Sequence, residues 1–519
     1  MAAIGGVLFG YDIGIVSGAV LQLRQEFLLS CLQQEMVVSS MLIGAVFASV
    51  TGGFVIDFLG RRLAIIITSL VFLAGAIILA VAQSYPVLII GRLIVGFGVS
   101  LSAIAECIYI SEIAPAKYRG MLVSLNELGI CSGLLAAYLV NYIFINLPAG
   151  WRYMFGLSGV PALIQGIGMY FLPMSPRWLI VKGKDEQACK SIAQLHWEGD
   201  PHEELMRIKS GFRTEYKYGL CDLFSKMDNM RKRMFIGGGL VFFQQITGQP
   251  TVVYYASTIF EDIGFHSGTK ATLASLGIGL AKLVATILSL SLVDKGGRRR
   301  FLLMGVSVMA ASIITLGVVS TLQPLKPPKK CYYTQDGLTN QTTGIPYTDQ
   351  GNVTDAYMNR TTSADSVRPV NPVLRYLALA GLVMFVAGYS FGFGPVSWLL
   401  LSEIFPSGIK GRAFSLATVL NWGTNVFVSF TFLDLLGSIG TSGTFFFYGL
   451  ICVIAIVFIY KYVPETKNKT LEQISAELNS KKAKSLCPAF RLAGRRRMRR
   501  TNASGSTHHM LLDQSQVQI

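Results

Sequence analysis

The sequence predicts an all-α membrane protein with twelve transmembrane helices arranged as two six-helix bundles. Three observations predict it: an apolar composition, the recurrence of long apolar stretches, and a set of motifs that occurs twice in the same order. Of 519 residues, 52% are hydrophobic and only 14% are charged, and the mean hydropathy is +0.50. A soluble chain is more balanced, so the excess apolar surface is expected to face lipid.

Apolar stretches long enough to cross a bilayer recur along the whole chain. A crossing takes roughly 20 mostly apolar residues as a helix, because every backbone N–H and C=O must be paired within the hydrocarbon core. The first stretch opens almost at Met1, with no signal-peptide pattern before it. We place the spans at 2–20, 36–56, 63–82, 87–108, 121–145, 152–172, 234–258, 271–293, 301–322, 373–400, 413–435 and 443–460.

These spans divide the chain into four parts. Residues 1–172 form the N-terminal bundle, and residues 173–233 form charged, amphipathic linker helices in the cytoplasm. Residues 234–460 form the C-terminal bundle, which contains a long polar outer loop at 323–371. Residues 461–519 form a cytoplasmic tail.

The distribution of Lys and Arg predicts the orientation. With both termini in the cytoplasm, the inside segments hold 34 of the 45 basic residues, as the positive-inside rule requires. The net charge of +16 therefore reports topology rather than nucleic-acid binding, and the arginine-rich run at 495–500 is expected to contact anionic lipid. The chain is expected to be a multi-pass protein of the plasma membrane or of endomembranes. A single copy is expected to be the functional unit.

The long outer loop carries three N-glycosylation acceptors, at Asn340, Asn352 and Asn359. Cys31 and Cys331 would both face the oxidising side, so a disulfide between them is a hypothesis. The other cysteines show no metal or redox spacing, and neither a metal nor a cofactor is expected.

Three motifs each occur once in each half of the chain. The first joins an aspartate to paired arginines, the second joins a glutamate to an arginine, and the third is a proline-led turn after spans six and twelve. Carboxylates beside arginines at helix ends can form cytoplasmic ion pairs that hold an inner gate shut; the alternative is that they are only turn residues and positive-inside anchors. The residues of this predicted cytoplasmic gate are Asp57, Arg61, Arg62, Glu112, Arg119, Asp294, Arg298, Arg299, Glu403 and Arg412. A six-helix unit repeated in one orientation is an architecture of transporters, with substrate held between the halves.

The motif set resembles the sugar porter branch of the major facilitator superfamily over nearly the whole chain. It comprises the Gly-Arg-Arg pairs, Ser175-Pro-Arg177, Gln244-Gln245-Ile-Thr-Gly248, Gly394-Pro395-Val-Ser-Trp398, Asn421-Trp422 and Pro464-Glu-Thr-Lys467. The long outer loop and the strings at 34–40 and 248–250 are similar to the class III facilitative glucose transporters. The resemblance implies the major facilitator fold and hexose transport by alternating access.

A hexose presents hydroxyls and C–H faces, so its site needs amides or carboxylates and an aromatic wall. Adjacent glutamines in a membrane span are costly unless they face a water-filled cavity or hydrogen-bond across helices. Both interpretations stay open for Gln244 and Gln245. The resemblance implies that these two residues, with Trp398 and Asn421, contact the sugar. Asn425 and Tyr255 are further candidates on the same helices.

Three positions depart from the pattern of many relatives. This chain has Glu127 in place of a sugar-contacting glutamine, Pro250 in place of an asparagine and Lys282 in place of another asparagine. Ionisable groups inside a membrane are functional by default, so Glu127 is also a candidate for sugar binding. The preferred substrate, whether a hexose, a polyol or an oxidised sugar such as dehydroascorbate, stays open.

Asp12 in span one and Arg92 in span four are candidates for proton coupling. A buried carboxylate and a guanidinium are best tolerated as a pair, and the resemblance implies that proton-coupled sugar porters carry this pair. Protonation of Asp12 would break the pairing and link helix movement to sugar occupancy. The alternatives are a permanent structural ion pair with uncoupled uniport, or a non-transporting sugar sensor. No nucleophile or metal constellation favours an enzyme.

Overall fold

The computed structural model describes residues 3–114, 119–195, 200–214, 223–225, 229–262, 268–322, 372–405 and 407–467. Within those ranges the regular structure is helical throughout, as the sequence predicts. The N-terminal half contains seven of the described helices: α1 (Ile4–Glu26), α2 (Cys31–Leu59), α3 (Arg61–Val81), α4 (Tyr85–Ile113), α5 (Arg119–Phe144), α6 (Gly150–Gly156) and α7 (Gly159–Tyr170). Cytoplasmic and outer ends are named below by the orientation predicted from charge.

Three short helices follow in the linker: α8 (Pro176–Val181), α9 (Asp185–Gln194) and α10 (Pro201–Thr214). They pack around a small apolar cluster that contains Leu179, Ala188, Ile192 and Leu205. The apolar residues of the amphipathic linker are therefore buried together in this cluster.

The C-terminal half contains nine described helices. They are α11 (Met230–Ile246), α12 (Gln249–Tyr254), α13 (Ala256–Asp262), α14 (Gly268–Gly296), α15 (Arg298–Leu322), α16 (Pro372–Phe391), α17 (Phe393–Ile404), α18 (Ser407–Phe430) and α19 (Phe432–Tyr462). α19 is kinked at Gly440, whose φ of 74° lies in the left-handed region that favours glycine.

In the described part of the chain, nine helices are long and apolar enough to cross a membrane, counting α16 and α17 together as one. The other three predicted spans correspond to α6 with α7, to α11 through α13, and to α18. Two of these are broken: Leu157 and Ser158 separate α6 from α7, and Gly248, with φ of 84°, separates α11 from α12. Multiple apolar helices are confirmed, and the count of twelve stays a prediction.

Close helix contacts depend on glycine. A Cβ added to Gly10 of α1 would lie 1.9 Å from the carbonyl oxygen of Ile130 in α5, and one added to Gly133 of α5 would lie 2.1 Å from that of Val7. The two backbones therefore touch directly, which is the way small residues let membrane helices associate. The two halves meet where α5 packs along α14 and where α2 packs along α18.

The structure places Cys31 in a disulfide. Its predicted partner, Cys331, lies outside the described residues, as do the glycosylation candidates Asn340, Asn352 and Asn359 and the tail beyond residue 467. The predicted pairing and the glycosylation therefore stay predictions.

Candidate functional site

A cluster of amides joins three helices at the centre of the C-terminal half. Gln244, near the end of α11, donates from Nε2 to the backbone carbonyl oxygen of Phe393 at 3.1 Å. Asn421 of α18 donates from Nδ2 to Oε1 of Gln244 at 3.4 Å. Both side chains are buried, and each lies on a separate helix, so the cluster is a polar centre within an apolar bundle.

Breaks in the helices surround this amide cluster. α11 ends two residues after Gln244, and α16 gives way to α17 at Gly392, whose ψ of −85° is not helical. The carbonyl oxygen of Phe393, the first residue after this break, accepts from Gln244. The break lies two residues before the Gly394-Pro395 sequence of span ten.

Gln245 and Trp398 lie on the helices that carry the cluster. Gln245 is buried with 7% of its surface exposed, whereas Trp398 on α17 is half-buried. The Trp398 ring is 6.0 Å from the ring of Phe414, centroid to centroid. A half-buried indole beside buried amides supplies the combination of aromatic wall and hydrogen-bonding groups that a sugar requires.

Tyr254 and Tyr255, which are adjacent in span seven, both hydrogen-bond to residues of α18. Tyr254 accepts a hydrogen bond from Nδ2 of Asn425 at 3.1 Å, and Asn425 in turn accepts one from the Ser429 hydroxyl at 3.1 Å. Tyr255 is 1% exposed, and its hydroxyl donates to the carbonyl oxygen of Ser429 at 3.4 Å. Asn425 and Tyr255 therefore form a hydrogen-bonded layer on the outer side of the amide cluster.

Two opposite charges lie near the same centre. Lys282 of α14 is 6% exposed, and its Nζ lies 5.5 Å from the centroid of the Tyr389 ring. Glu127 of α5 is close enough to Lys282 for electrostatic attraction, and its Oε1 would lie 3.6 Å from a Cβ added to Gly394. The carboxylate and the ammonium therefore come from different halves and approach one region of the interior.

Asp12 and Arg92 are in direct contact, as the sequence predicts. Nη1 of Arg92 lies 2.9 Å from Oδ1 and 2.8 Å from Oδ2 of Asp12, and both residues are 1% exposed. Nε of Arg92 donates to the carbonyl oxygen of Val37 at 3.2 Å. Three helices of the N-terminal half, α1, α2 and α4, thus meet at one guanidinium.

The first copy of the gate motif connects α2, α3, α4 and α7. Arg61 pairs with Asp57 at 3.0 Å and with Glu112 at 3.1 Å. Arg62 donates to the carbonyl oxygens of Met169 and Tyr170 at the end of α7. The Ser175 hydroxyl donates to the same Glu112, which brings the proline-led turn into the network.

The second copy repeats this arrangement in the C-terminal half. Arg298 pairs with Glu403 at 3.2 Å, and Arg299 donates to the carbonyl oxygen of Tyr460 near the end of α19. Glu465 of the final turn accepts from the backbone N–H of Arg298 at 3.0 Å. These contacts lie within each half, as do those of the first copy. Arg412 is exposed, and the side chains of Arg119 and Asp294 lie outside the described part.

The described contacts between the halves lie at the outer side and the centre. The Thr269 hydroxyl donates to Oδ1 of Asn146 at 3.0 Å, and the Tyr138 hydroxyl donates to the carbonyl oxygen of Val253 at 2.9 Å. Towards the cytoplasm, every residue of 126–130 in α5 is partly exposed. The described hydrogen bonds therefore join the halves on the outer side and at the centre.

Tyr389 and Lys282 were not among the predicted site residues. Lys282 carried a signal, because a lysine within an apolar span needs a polar environment. Tyr389, which contacts Gln244 through its phenol, carried none beyond its position before the Gly-Pro break. The contact of Gln244 with the Phe393 carbonyl could not be predicted, because it depends on how α11 packs against the start of α17.

Two pseudo-equivalent helical halves around a polar centre, with matched ion-pair networks at one end, define a transporter of the major facilitator class. The chain belongs to the sugar (and other) transporter family, which matches residues 1–331 and 353–478. This family consists of transporters rather than enzymes, in agreement with the sequence analysis.

Similar proteins include two facilitated glucose transporters of solute carrier family 2. Member 12 from Mus musculus is 44% identical over 92% of this chain and 83% of its own length. Member 10 from Homo sapiens is 40% identical over 93% of both chains. The sequence strings had indicated these same two members, with the linker favouring member twelve and span ten favouring member ten. The class III resemblance is confirmed.

Solved structures of the xylose transporter XylE from E. coli have the same fold. The partially occluded, inward-open form gives a TM-score of 0.70 at 28% identity, covering 90% of this chain and 98% of that one. XylE described as a proton:xylose symporter, bound to 6-bromo-6-deoxy-D-glucose, gives a TM-score of 0.68 at 30% identity and covers 92% and 97%. The predicted major facilitator fold is confirmed.

Proposed function

We propose that this protein moves a hexose across a membrane by alternating access. The observation that carries the proposal is the amide cluster of Gln244, Asn421 and the Phe393 carbonyl, which lies at two helix breaks beside the half-buried Trp398. Amides both donate and accept, so they can exchange their mutual hydrogen bonds for bonds to sugar hydroxyls without leaving a polar group unpaired. The similarity to facilitated glucose transporters favours a hexose, and the similarity to a xylose transporter favours a monosaccharide more broadly.

The hydrogen bond between Asn421 and Gln244 is long. Its two atoms are 3.4 Å apart, beyond the usual range of N–H···O hydrogen bonds. A hydroxyl inserted between them would supply shorter bonds to both. Because the two amides lie on α18 and α11, a sugar hydroxyl bonded to both would link its binding to the relative position of these helices.

Proton symport is the finer proposal, through Asp12 and Arg92. The ion pair connects α1 to α4, and Arg92 also bonds to α2, so neutralising Asp12 would weaken the connection of α1 to these two helices. The similarity to XylE, a proton:xylose symporter that is 30% identical, supports the proposal. The competing function is uncoupled uniport of a hexose or dehydroascorbate, in which the pair is permanent.

The test uses the purified full chain in liposomes. Counterflow of labelled D-glucose, D-galactose and dehydroascorbate is measured with and without an inward proton gradient. Counterflow of one of the hexoses is expected, and a gradient that drives accumulation above equilibrium would support symport. Absence of counterflow for every sugar, in protein that is folded and correctly inserted, would overturn transport and leave the sensor alternative.

The location and topology are also proposed. The chain is placed in the plasma membrane or an endomembrane with both termini in the cytoplasm, and with Asn340, Asn352 and Asn359 in a glycosylated outer loop. Digestion with peptide N-glycosidase, compared with a variant in which all three are changed to Gln, tests the loop's location directly.

A further inference from the structure

The N-terminus of α19 is capped by a residue from the other half of the molecule. Oε1 of Glu35, on α2, accepts from the backbone N–H of Leu433 at 2.8 Å and from that of Asp434 at 3.3 Å. These amides are the second and third of α19, which begins at Phe432. The first N–H groups of a helix have no partner within it, and a carboxylate there also interacts favourably with the helix dipole.

The helix lacks a cap of its own. Thr431 stands at the N-cap position, but its side chain makes no cap hydrogen bond, and its hydroxyl donates backwards to the carbonyl of Phe427 at 2.8 Å. Threonine at this position commonly satisfies the amides that follow. Here Glu35 makes these bonds instead, across the boundary between the halves.

Glu35 is completely buried, and its second oxygen is not used. Its exposure is 0%, and Oε2 has no hydrogen-bond partner in the described structure. A buried carboxylate oxygen without a partner is unfavourable. Breaking of the cap on α19 is therefore favoured once water reaches the Glu35 carboxylate. Exposed Asp434, whose negative charge repels that of Glu35, adds to that preference.

The capped segment can move as a unit. Residues 432–439 form a short helical piece that ends at the kink of Gly440, where a Cβ would meet nothing within 4 Å. At the other end, Thr431 joins the segment to α18. It therefore has a junction at each end, and Glu35 provides hydrogen bonds that hold it against the N-terminal half.

The segment is also connected to the proposed sugar site. The Phe432 ring lies 5.1 Å from that of Tyr255, and the Tyr255 hydroxyl bonds to the carbonyl of Ser429. Ser429 bonds to Asn425, which bonds to Tyr254. A shift of these side chains on sugar binding would therefore reach the start of α19 through contacts already present.

We propose that Glu35 is a positioning residue of the transport cycle, whose cap on α19 keeps the outer side closed in the inward-facing conformation and is broken when that side opens. The proposal rests on the proposed function, since it assigns the residue a step in alternating access. Opening the outer side requires α2 to separate from the α18–α19 junction, and the two N–H bonds to Glu35 are the described hydrogen bonds across that junction.

The first experiment measures amide hydrogen exchange in peptides covering 430–439 of the full chain in nanodiscs. In Glu35→Ala, exchange at Leu433 and Asp434 is expected to be about tenfold faster than in the unchanged protein, with a smaller increase in Glu35→Gln, which retains an acceptor. Gln34→Ala is the matched control, because Gln34 is the neighbouring buried residue and bonds only within its own half, to Leu29. Equal exchange in all four proteins would overturn the proposal.

The second experiment separates a gating role from a merely structural cap. KM is measured in liposomes for entry and for exit of labelled D-glucose in Glu35→Gln and in the unchanged protein. Weakening the cap shifts the balance of inward-facing and outward-facing forms, so the ratio of entry KM to exit KM is expected to change by about threefold or more. A lower melting temperature with an unchanged ratio would show that Glu35 only stabilises the fold. If the unchanged protein shows no counterflow at all, the proposed function fails, while the exchange experiment still reports on the cap.

Discussion

Arg92 and Asp12 form an ion pair that is almost completely removed from solvent, with Nη1 within 2.9 Å of both carboxylate oxygens. Burying two charges is favourable only when each compensates the other, and removing one partner of such a pair typically costs about 3–5 kcal/mol. Nε of Arg92 is also occupied, by the carbonyl of Val37. The pair is therefore poised so that a single proton on Asp12 would alter contacts among three helices.

Asp12→Asn is expected to abolish proton-driven accumulation while preserving counterflow. The amide is close to the carboxylate in size but carries no titratable charge, so sugar exchange can continue without a coupled proton. The measurement compares accumulation of labelled hexose under a proton gradient with exchange in its absence. Glu26→Gln serves as the control, because Glu26 is on the same helix and bonds to Nε1 of Trp151 at 2.5 Å within the N-terminal half. Accumulation that survives in Asp12→Asn would exclude Asp12 as the coupling residue.

Asp12→Ala is expected to be more harmful than Arg92→Ala, because it leaves a buried guanidinium that cannot lose its charge, whereas Asp12 without its partner can become neutral by taking up a proton. The double variant should recover folded protein relative to Asp12→Ala alone, since no uncompensated charge then remains. The yield of monodisperse protein and its melting temperature measure this difference. Equal losses in the two single variants, with no recovery in the double, would argue against a charge-compensated pair.

Glu127 and Lys282 offer a similar test across the two halves. Glu127→Gln leaves a lysine without its opposing charge, and Lys282→Asn leaves a carboxylate, so each is expected to lower hexose uptake. The double variant is expected to restore part of it, because the interior is again neutral and the amides can serve the same hydroxyls. A double variant as impaired as the worse single one would indicate that the two charges act independently.

The two gate networks are expected to contribute equally to transport. Glu112→Gln removes the charge that faces Arg61, and Glu403→Gln removes the one that faces Arg298, at nearly the same distances of 3.1 and 3.2 Å. Each is expected to slow transport by shifting the balance of inward-facing and outward-facing forms, with uptake rate as the measurement. Glu186→Gln is the control, since Glu186 makes an ion pair with Lys190 in the exposed linker. Slowing by only one of the two would show that the repeated motif is not used symmetrically.

The sequence predicts contacts between oppositely charged side chains that lie within apolar spans or in the repeated motifs. The pairing of Asp12 with Arg92 and the network at Glu112 follow from the rule that intramembrane charges need partners. The cap on α19 could not be predicted, because Glu35 is nearly 400 positions away in the chain and the donors to its carboxylate are backbone N–H groups. Residues 436–442 likewise read as a loop between spans eleven and twelve, whereas the structure continues the helix to the kink at Gly440.

Gln244→Ala is expected to weaken sugar binding more than any substitution at Gln245, because Gln244 alone of the pair bonds to two other helices in the described structure. Its loss leaves the Phe393 carbonyl and the Asn421 amide without their partner, and removes one of the groups proposed for the sugar. A buried polar group left unpaired costs about 1–3 kcal/mol, which corresponds to about 5- to 150-fold in affinity. The KM for counterflow and direct binding to the purified protein measure the change. Gln244→Glu is the informative companion, because it keeps the acceptor that Asn421 uses but not the donor to Phe393. If both variants bind sugar as tightly as the unchanged protein while Trp398→Ala does not, the site lies along α17 rather than at the amide cluster.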